Sequence, residues 1–222
     1  MKKIITILFF TLFMGASQAE ISFGVSGALT QIDATGSEVE GGEKTTKSVS
    51  HATVLPSLFV EYSLFDRVTI GLDYIPMDAD VSNQTHKRED VETSVTGTDA
   101  TTATSRTQTA QAELENHMTL YADVMVNDAA FVKVGGVQVD LNTLESLGTG
   151  SEYGNATING YVVGLGVKKD AAGLGKFMKM ELVYTDYEDV SITSSVARTG
   201  VTGNNKIEAD LDTTALKLSF AF

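Results

Sequence analysis

The sequence predicts an all-β protein, an eight-stranded antiparallel up-and-down transmembrane β-barrel. Apolar and polar residues alternate with a period of two in eight segments, which is typical of strands with two different faces. The connections between these segments are alternately long and short along the chain. Membrane β-barrels are built from an even number of strands, with short turns at one end and long loops at the other.

The N-terminal segment precedes the first strand and predicts a secretory signal peptide. Met1–Lys3 is basic, Ile4–Met14 is an apolar run of 11 residues, and small residues precede Glu20 as a cleavage site requires. A spanning helix needs about 20 apolar residues, so a membrane anchor is excluded. We expect residues 1–19 to be cleaved after export through the inner membrane and residues 20–222 to form one barrel domain.

The predicted strands have one face of large apolar residues and one face of small residues. They lie near 21–29, 54–62, 68–74, 114–124, 131–141, 157–168, 177–187 and 209–222. Ser, Gly, Ala and Thr dominate the second face, which suits the crowded interior of an eight-stranded barrel. A soluble up-and-down barrel would instead carry Lys and Glu on its outer face, and the absence of Trp excludes the Gly-x-Trp signature of lipocalins.

Two consecutive glycines interrupt the alternation in the fifth predicted strand. Val132 and Val134 are the apolar positions before Gly135–Gly136, whereas Val137 and Val139 are the apolar positions after it. This change of parity predicts a β-bulge at the glycines.

The connections predict which end of the barrel faces outside. The short turns lie at 63–66, 127–130 and 169–175, and the long loops lie near 33–51, 76–112, 142–156 and 188–208. We expect the turns in the periplasm and the long loops outside the cell, where an extracellular partner could bind them. Residues 91–110 contain eight Thr, two Ser and no aromatic residue, so we expect them to be mobile or a frayed extension of a hairpin.

The composition excludes several classes of function. The chain has 16 Lys and Arg residues against 29 Asp and Glu residues, a net charge of −13. Nucleic-acid binding depends on basic residues that neutralise phosphates, so we expect no nucleic-acid partner. The absence of cysteine excludes disulfides, cysteine-ligated metals and cysteine nucleophiles. We expect no cofactor.

The end of the chain carries a resemblance to a known family. Its alternating apolar residues look like the signal that outer-membrane barrels present to the barrel assembly machinery. These residues are Leu216, Leu218, Phe220 and Phe222. Residues 20–222 as a whole resemble the small OmpA/OmpX/Opa-type outer-membrane β-barrel family, and residues 180–190 are similar to the seventh strand of many members.

The resemblance implies a place in the outer membrane of a Gram-negative cell, in contact with outer-membrane lipid and lipopolysaccharide. We expect a monomer without a periplasmic peptidoglycan-binding domain. Such barrels act as adhesins, stabilising proteins, narrow pores and a few enzymes, so the resemblance does not determine the function. We expect a non-enzymatic membrane anchor or structural protein with surface-exposed interaction loops. The alternatives are a narrow porin-like channel for small solutes and an outer-membrane lipid-modifying enzyme.

Eight charged residues are predicted to face the lumen because they alternate with the apolar face. The acids are Glu61, Asp73, Asp123 and Glu181, and the bases are Arg67, Lys133, Lys179 and Lys217. We expect a salt-bridge network that plugs the barrel, with Arg67 at its centre because a guanidinium can hold two carboxylates. The alternative is that these side chains reach water at the periplasmic rim, where each pair contributes at most about 1 kcal/mol.

Tyrosines near both ends of the strands predict an aromatic belt at the two membrane interfaces. Tyr74, Tyr161 and Tyr184 face outward near the long loops, whereas Tyr62 faces outward near the turns. The alternative is that these residues are ordinary strand aromatics, chosen for β-propensity.

The sequence contains no set of residues that predicts a catalytic or metal site. His51 and His86 fall in predicted loops, and we interpret His117 as a hydrogen-bonded residue of the lumen. A threonine two residues after His117 stands where outer-membrane lipid A deacylases have a serine. The paired acids at 78–80 and 210–212 lack the remaining residues of an EF-hand, so we interpret them as solvated loop acids. Weak divalent-cation bridging to lipopolysaccharide phosphates is the alternative.

Deletion of Phe222 should impair assembly more than stability. Phe222 contributes one side chain to the lipid-facing band, yet the resemblance makes it the main position of the assembly signal. We expect the deletion variant to accumulate unassembled in the periplasm while its refolding from urea into detergent stays nearly normal. Cell fractionation measures the first quantity, and unchanged outer-membrane levels of the variant would refute the prediction.

Overall fold

A computed structural model describes residues 20–40, 43–96, 100–145, 152–196 and 203–222. The predicted signal peptide lies outside these residues. In the part that is described, no helix is long and apolar enough to cross a membrane.

The described residues form twelve strands. In chain order they are β1 (Glu20–Glu40), β2 (Glu43–Phe65), β3 (Val68–Ile75), β4 (Ala79–Asp80), β5 (His86–Thr96), β6 (Ala100–Ala110), β7 (Ala112–Met125), β8 (Ala130–Thr143), β9 (Ala156–Asp170), β10 (Phe177–Tyr187), β11 (Val190–Thr193) and β12 (Lys206–Ala221). Eight of them form one antiparallel sheet in the order β1, β2, β3, β7, β8, β9, β10 and β12, and the sheet closes because β12 also pairs with β1. The predicted eight-stranded antiparallel barrel is confirmed.

The outer surface of the barrel carries a continuous apolar band. Leu29, Val54 and Leu165 are 58%, 65% and 62% exposed, and similar exposed side chains stand on every barrel strand except β3, whose outward residues are half-buried. Contiguous apolar surface on this scale marks a region that faces lipid rather than water. The residues on the opposite face of the same strands are buried in the lumen, which is why the sequence alternates.

The predicted loop at 33–51 is wrong, because both strands of the first hairpin continue through it. The antiparallel register of β1 and β2 runs without interruption from Glu20 opposite Ser63 to Glu40 opposite Glu43. On its other side β1 pairs with β12 as far as Val39. Pairing on both sides satisfies the backbone of this polar stretch, so it needs no lipid-facing side chains to stay extended.

β5 and β6, within the predicted second loop, form a separate two-stranded ribbon. β5 and β6 pair with each other from His86 opposite Ala110 to Thr96 opposite Ala100, and neither belongs to the barrel sheet. The fourth predicted loop, 188–208, contains β11, which pairs with β12. We call the end of the barrel that carries these elements the loop end, and the opposite end the turn end.

The predicted bulge at Gly135–Gly136 is also wrong. β8 pairs with β9 in a constant register from Ala130 to Leu141. The interruption lies instead on the neighbouring strand, where β7 shifts against β8 just after Glu115. Asn116 takes up the shift with a φ of 52°. The apolar residues change parity on β8 because the lining of the lumen changes from charged to apolar along its length, not because the strand is kinked.

Three inward-facing glycines leave room for three inward-facing aromatic rings. Gly24 lies opposite Phe59, Gly71 opposite Tyr121, and Gly166 opposite Phe131 on neighbouring strands. A methyl group added to any of the three glycines would overlap the ring of its partner. The narrow lumen therefore holds these rings only because the opposite position has no side chain.

Replacement of Gly24 by alanine should destabilise the barrel, whereas replacement of Gly27 by alanine should not. At Gly24 the new methyl group meets the Phe59 ring and a backbone oxygen, whereas at Gly27 it meets open space on the lipid side. Overpacking of this kind costs about 1–3 kcal/mol. Unfolding by urea in detergent or lipid measures the difference. Equal midpoints for the two variants would show that the ring can move aside.

Candidate functional site

The lumen is the part of the molecule where charged and polar side chains come together. Seven of the eight charged residues that the sequence places there line it and are removed from solvent wholly or in large part. They are Glu61, Asp73, Asp123, Lys133, Lys179, Glu181 and Lys217. Six of them lie toward the turn end of their strands, and Asp73 lies opposite Phe59 near the other end of the short strand β3. We call this group of seven the charged plug.

Lys179 lies at the centre of the charged plug. It comes from β10 and is 1% exposed. Its Nζ donates to Glu61 and to Asp123 Oδ2, the latter at 3.0 Å. The Tyr121 hydroxyl group donates to the same Glu61 Oε1 atom at 2.8 Å. Two strands besides β10, namely β2 and β7, therefore hold one ammonium group in place.

Aromatic rings complete the surroundings of this ammonium group. The ring centroids of Phe59, Tyr121, Phe131 and Phe177 lie between 5.3 and 6.0 Å from Lys179 Nζ. Rings at this distance attract a cation through their quadrupoles. They also fill the cross-section of the barrel at the level of the charges, so that the plug is packed as well as paired.

Two further lysines extend the plug across the lumen. Lys133 lies 2.8 Å from Glu181 Oε1 and 3.4 Å from Asp123 Oδ1. Lys217 donates to Asp73 Oδ2, which also accepts from Ser57 at 3.0 Å. Buried charges are tolerated when they are paired and hydrogen-bonded in this way.

The predicted position of Arg67 in the network is wrong. Arg67 is exposed in the tight turn between β2 and β3 and forms no ion pair with any described residue. Strand parity does not apply to a residue that the turn takes out of the ladder. Half-buried Lys168 of β9 lies nearer the plug, with its Nζ 3.7 Å from the Phe177 ring centroid and in electrostatic contact with Glu61. The alternation that brings Gly164 and Gly166 inward could have identified it.

The lumen toward the loop end is apolar. A cluster of buried side chains fills it, with Ile32 and Val139 fully removed from solvent. The cluster comprises Ile32, Leu55, Ala79, Leu114, Val137, Val139, Leu141, Ile158, Tyr187, Val190 and Leu211. Above it, Glu38 of β1 accepts hydrogen bonds from the Tyr153 hydroxyl group at 2.7 Å and from Asn205 at 3.3 Å. These contacts tie two of the predicted loops to the first hairpin.

A cavity of about 80 Å³ lies between the charged plug and the apolar cluster. Its lining includes Lys217 and Asp73 from the plug and Leu55 and Leu114 from the cluster. His117 also lines it, and its Nε2 atom lies 2.9 Å from the Tyr187 hydroxyl group. His117 is therefore hydrogen-bonded in the lumen, and its ring forms part of the cavity wall.

The barrel wall opens beside this cavity, at a seam between β2 and β3. The two strands pair only as far as Leu58 opposite Tyr74. From Glu43 to Ser57, no described strand pairs with β2 on this side. Two positions beyond the last pair, the register would bring Pro56 opposite Pro76, and these are the two prolines of the chain. Neither has a backbone N–H group, so this pair of residues cannot donate ladder hydrogen bonds to each other.

The seam lies at the edge of the lipid-facing band. Val54 and Leu58, on either side of Pro56, are 65% and 53% exposed. The cavity lining contains residues from both edges of the seam, among them Leu55 from β2 and Met77 from the segment after β3. The space inside the lumen therefore borders the region where lipid tails meet headgroups.

The remaining candidate residues lie outside the lumen or near the loop end of the barrel. Tyr161 and Tyr184 are exposed on the outer face, and Tyr62 and Tyr74 are half-buried. At the C-terminus, Leu216, Leu218 and Phe222 are exposed and Phe220 is half-buried. His51 belongs to β2 and His86 begins β5, so neither lies in a loop. Of these residues, none brings a second catalytic group to His117.

One group of acids lies close together at the loop end. Carboxylate oxygens of Asp78, Glu113 and Glu115 lie within 4.8 Å of one another. Burial raises the pKa of Glu113, and the nearby Glu115 and Asp78 carboxylates raise it further. Asn142 donates to both glutamates at 2.8 and 2.9 Å, which offsets part of this repulsion. The other predicted pair, Asp210 and Asp212, lies on β12, and not in a loop.

No family model and no curated protein matches the chain. Among solved structures, the chain is similar to the outer membrane protein OprG from Pseudomonas aeruginosa, with a TM-score of 0.50 and 12% identity over 90% of this chain and 95% of that one. It is also similar to the outer membrane protease OmpT from Escherichia coli, with a TM-score of 0.47 and 11% identity over 91% and 96% of the two chains. A third similar structure is the outer membrane protein AlkL, with a TM-score of 0.44 and 14% identity over 94% and 93%.

At these identities the likeness concerns the fold. The closed barrel, its lipid-facing band and the match to OprG over almost the whole of both chains agree on that fold. The chain has the fold of the small outer-membrane β-barrels, the class that includes the OmpA/OmpX/Opa-type proteins.

Proposed function

We propose that the barrel is a non-enzymatic binding protein for small apolar molecules, which pass between its lumen and the outer leaflet of the membrane through the barrel wall. The observation that carries this proposal is a cavity closed on its periplasmic side by the charged plug and bordered by the open seam between β2 and β3. The orientation follows the expectation that the turns face the periplasm.

The charged plug argues against a porin-like channel along the barrel axis. Lys179 and Glu181 are 1% and 2% exposed, and four aromatic rings surround the Lys179 ammonium group. A solute would have to separate several buried ion pairs to reach the turn end, and such pairs cost about 3–5 kcal/mol to break. The seam needs no such step, because β2 and β3 do not pair beyond Leu58 and Tyr74.

The wall of the cavity favours apolar molecules. Leu55, Ile75 and Met77 line it along the seam, and Ile32 and Leu114 line it farther from the seam. Apolar surface that leaves water contributes roughly 25 cal/mol per Å². A molecule that moves from the cavity into lipid stays out of water throughout, so the passage has no large barrier from hydration.

Restoration of backbone donors at the seam should slow the release of a molecule into lipid. The double variant Pro56→Thr and Pro76→Thr supplies two N–H groups at opposite positions, so the ladder between β2 and β3 can extend. We expect the release of a lipophilic fluorescent probe from the barrel into the bilayer of proteoliposomes to slow several-fold. Val54→Thr is the control, because it changes a neighbouring lipid-facing side chain and no backbone donor. Equal release rates in both variants would exclude the seam as the exit.

Loss of Lys179 should destabilise the barrel. Lys179→Met leaves the Glu61 and Asp123 carboxylates without their shared cation, a loss of about 3–5 kcal/mol of unfolding free energy. Lys169→Met, at an exposed position on the neighbouring strand β9, is the matched control. Urea unfolding of the two variants measures the difference.

The wild-type barrel should be silent in planar bilayers, because the charged plug closes its axis. Conductance recordings make this measurement, and steady openings would favour a channel instead.

A second candidate function is display of a surface for an extracellular partner. The observation that favours it is the extent of β structure beyond the apolar band, where the β1–β2 hairpin reaches Glu40 and the β5–β6 ribbon forms its own sheet. In this case the barrel is an anchor, and lipopolysaccharide and the assembly machinery are its partners in the membrane. The two functions are compatible, since they use different parts of the molecule.

A further inference from the structure

Four threonines form a layer between the charged plug and the apolar cluster. They come from four different barrel strands, are between 6% and 8% exposed, and all line the cavity. They are Thr30 of β1, Thr119 of β7, Thr185 of β10 and Thr213 of β12. Thr185 and Thr213 lie directly opposite each other, and Thr119 lies opposite Asp73 of the plug. Hydroxyl groups therefore surround the floor of a cavity whose upper wall is apolar.

We propose that this threonine layer makes the cavity selective for uncharged apolar molecules that carry one hydrogen-bonding oxygen, such as ketones, aldehydes and alcohols, over hydrocarbons of the same length. The inference rests on the proposed function and names the class of molecule that the same site accepts. The oxygen lies at the threonine layer, and the hydrocarbon part contacts the apolar wall and points toward the seam.

Water displacement gives the physical reason for this selectivity. Thr30, Thr119 and Thr185 take no part in the hydrogen bonds of the charged plug. In the empty cavity, water can satisfy their hydroxyl groups. A hydrocarbon displaces that water and leaves the hydroxyl groups dehydrated, which is unfavourable, whereas a molecule with an oxygen atom replaces the lost hydrogen bonds. Sites with buried polar groups discriminate in this way against analogues that lack the partner atom.

The charges in the lumen argue against an anionic molecule such as a carboxylate. Lys217 and Lys133 both line the cavity, but Lys217 is paired with Asp73, and Lys133 with Glu181 and Asp123. The plug contains four acids and three lysines, each of these lysines is paired with a carboxylate, and Lys168 does not line the cavity. A further negative charge would lie close to these acids without a cation of its own.

The size of the cavity limits the part of the molecule that it encloses. A cavity of 150 Å³ holds benzene, and this one measures about 80 Å³. It therefore encloses a polar head and a few carbon atoms, and the rest of a longer chain extends past exposed Met77 toward the seam. Molecules with six carbon atoms in a line are suitable probes.

The test compares hexane, 2-hexanone and hexanoate, which differ only at one end. Saturation-transfer difference NMR measures the affinity of each for the wild-type barrel in detergent, with empty micelles as the blank. We expect 2-hexanone to bind about tenfold more tightly than hexane, as one hydrogen bond gained and one dehydration avoided imply. Thr119→Val combined with Thr185→Val should abolish that preference. Thr214→Val, at the exposed position beside Thr213 on the outer face, should retain it.

The other outcomes overturn either the selectivity of the threonine layer or the proposed function itself. Equal binding of hexane and 2-hexanone, or a preference that survives the double variant, overturns the selectivity of the threonine layer and leaves the proposed function standing. Tightest binding of hexanoate overturns it in favour of an anion site at Lys217. Failure of all three probes to bind the wild-type barrel contradicts the proposed function itself, and with it this inference.

Discussion

The ammonium group of Lys179 lies in the middle of a membrane barrel, 1% exposed, between two carboxylates and four aromatic rings. Charges in this position are stable only when they are paired and hydrogen-bonded. The strands that carry Glu61, Asp123 and Tyr121 must therefore keep their register relative to β10, because a shift by one residue would turn those side chains toward lipid. The charged plug thus constrains the whole turn end of the barrel.

The same constraint explains the glycines. Side chains as large as Phe59, Tyr121 and Phe131 fit beside the plug only where the neighbouring strand has no side chain, and Gly24, Gly71 and Gly166 supply those positions. Close packing at the turn end leaves no path along the barrel axis. The cavity lies closer to the loop end, where the lining changes from charges to threonines and then to apolar residues.

The seam follows from a different rule of membranes. Backbone groups in lipid need hydrogen-bond partners, which is why membrane barrels close. Here the ladder between β2 and β3 ends at the edge of the apolar band, where Pro56 and Pro76 would face each other. A proline has no N–H group to leave unsatisfied, so the gap costs less at this point than anywhere else along the strand. The seam and the closed axis together leave the lumen with a lateral opening, which is the basis of the proposed function.

The sequence by itself determined the barrel, because a period of two with one apolar face is a local property that each strand carries independently. It also identified seven residues of the charged plug, since strand parity sets the direction of a side chain. Parity failed for Arg67, where a turn removes the residue from the ladder, and for Gly135–Gly136, where the lining changed and the strand did not. Only the tertiary structure decided which inward residues meet. The threonine layer depends on the register between strands that are distant in sequence, and the facing prolines depend on the register between β2 and β3. A single strand contains no information about either register.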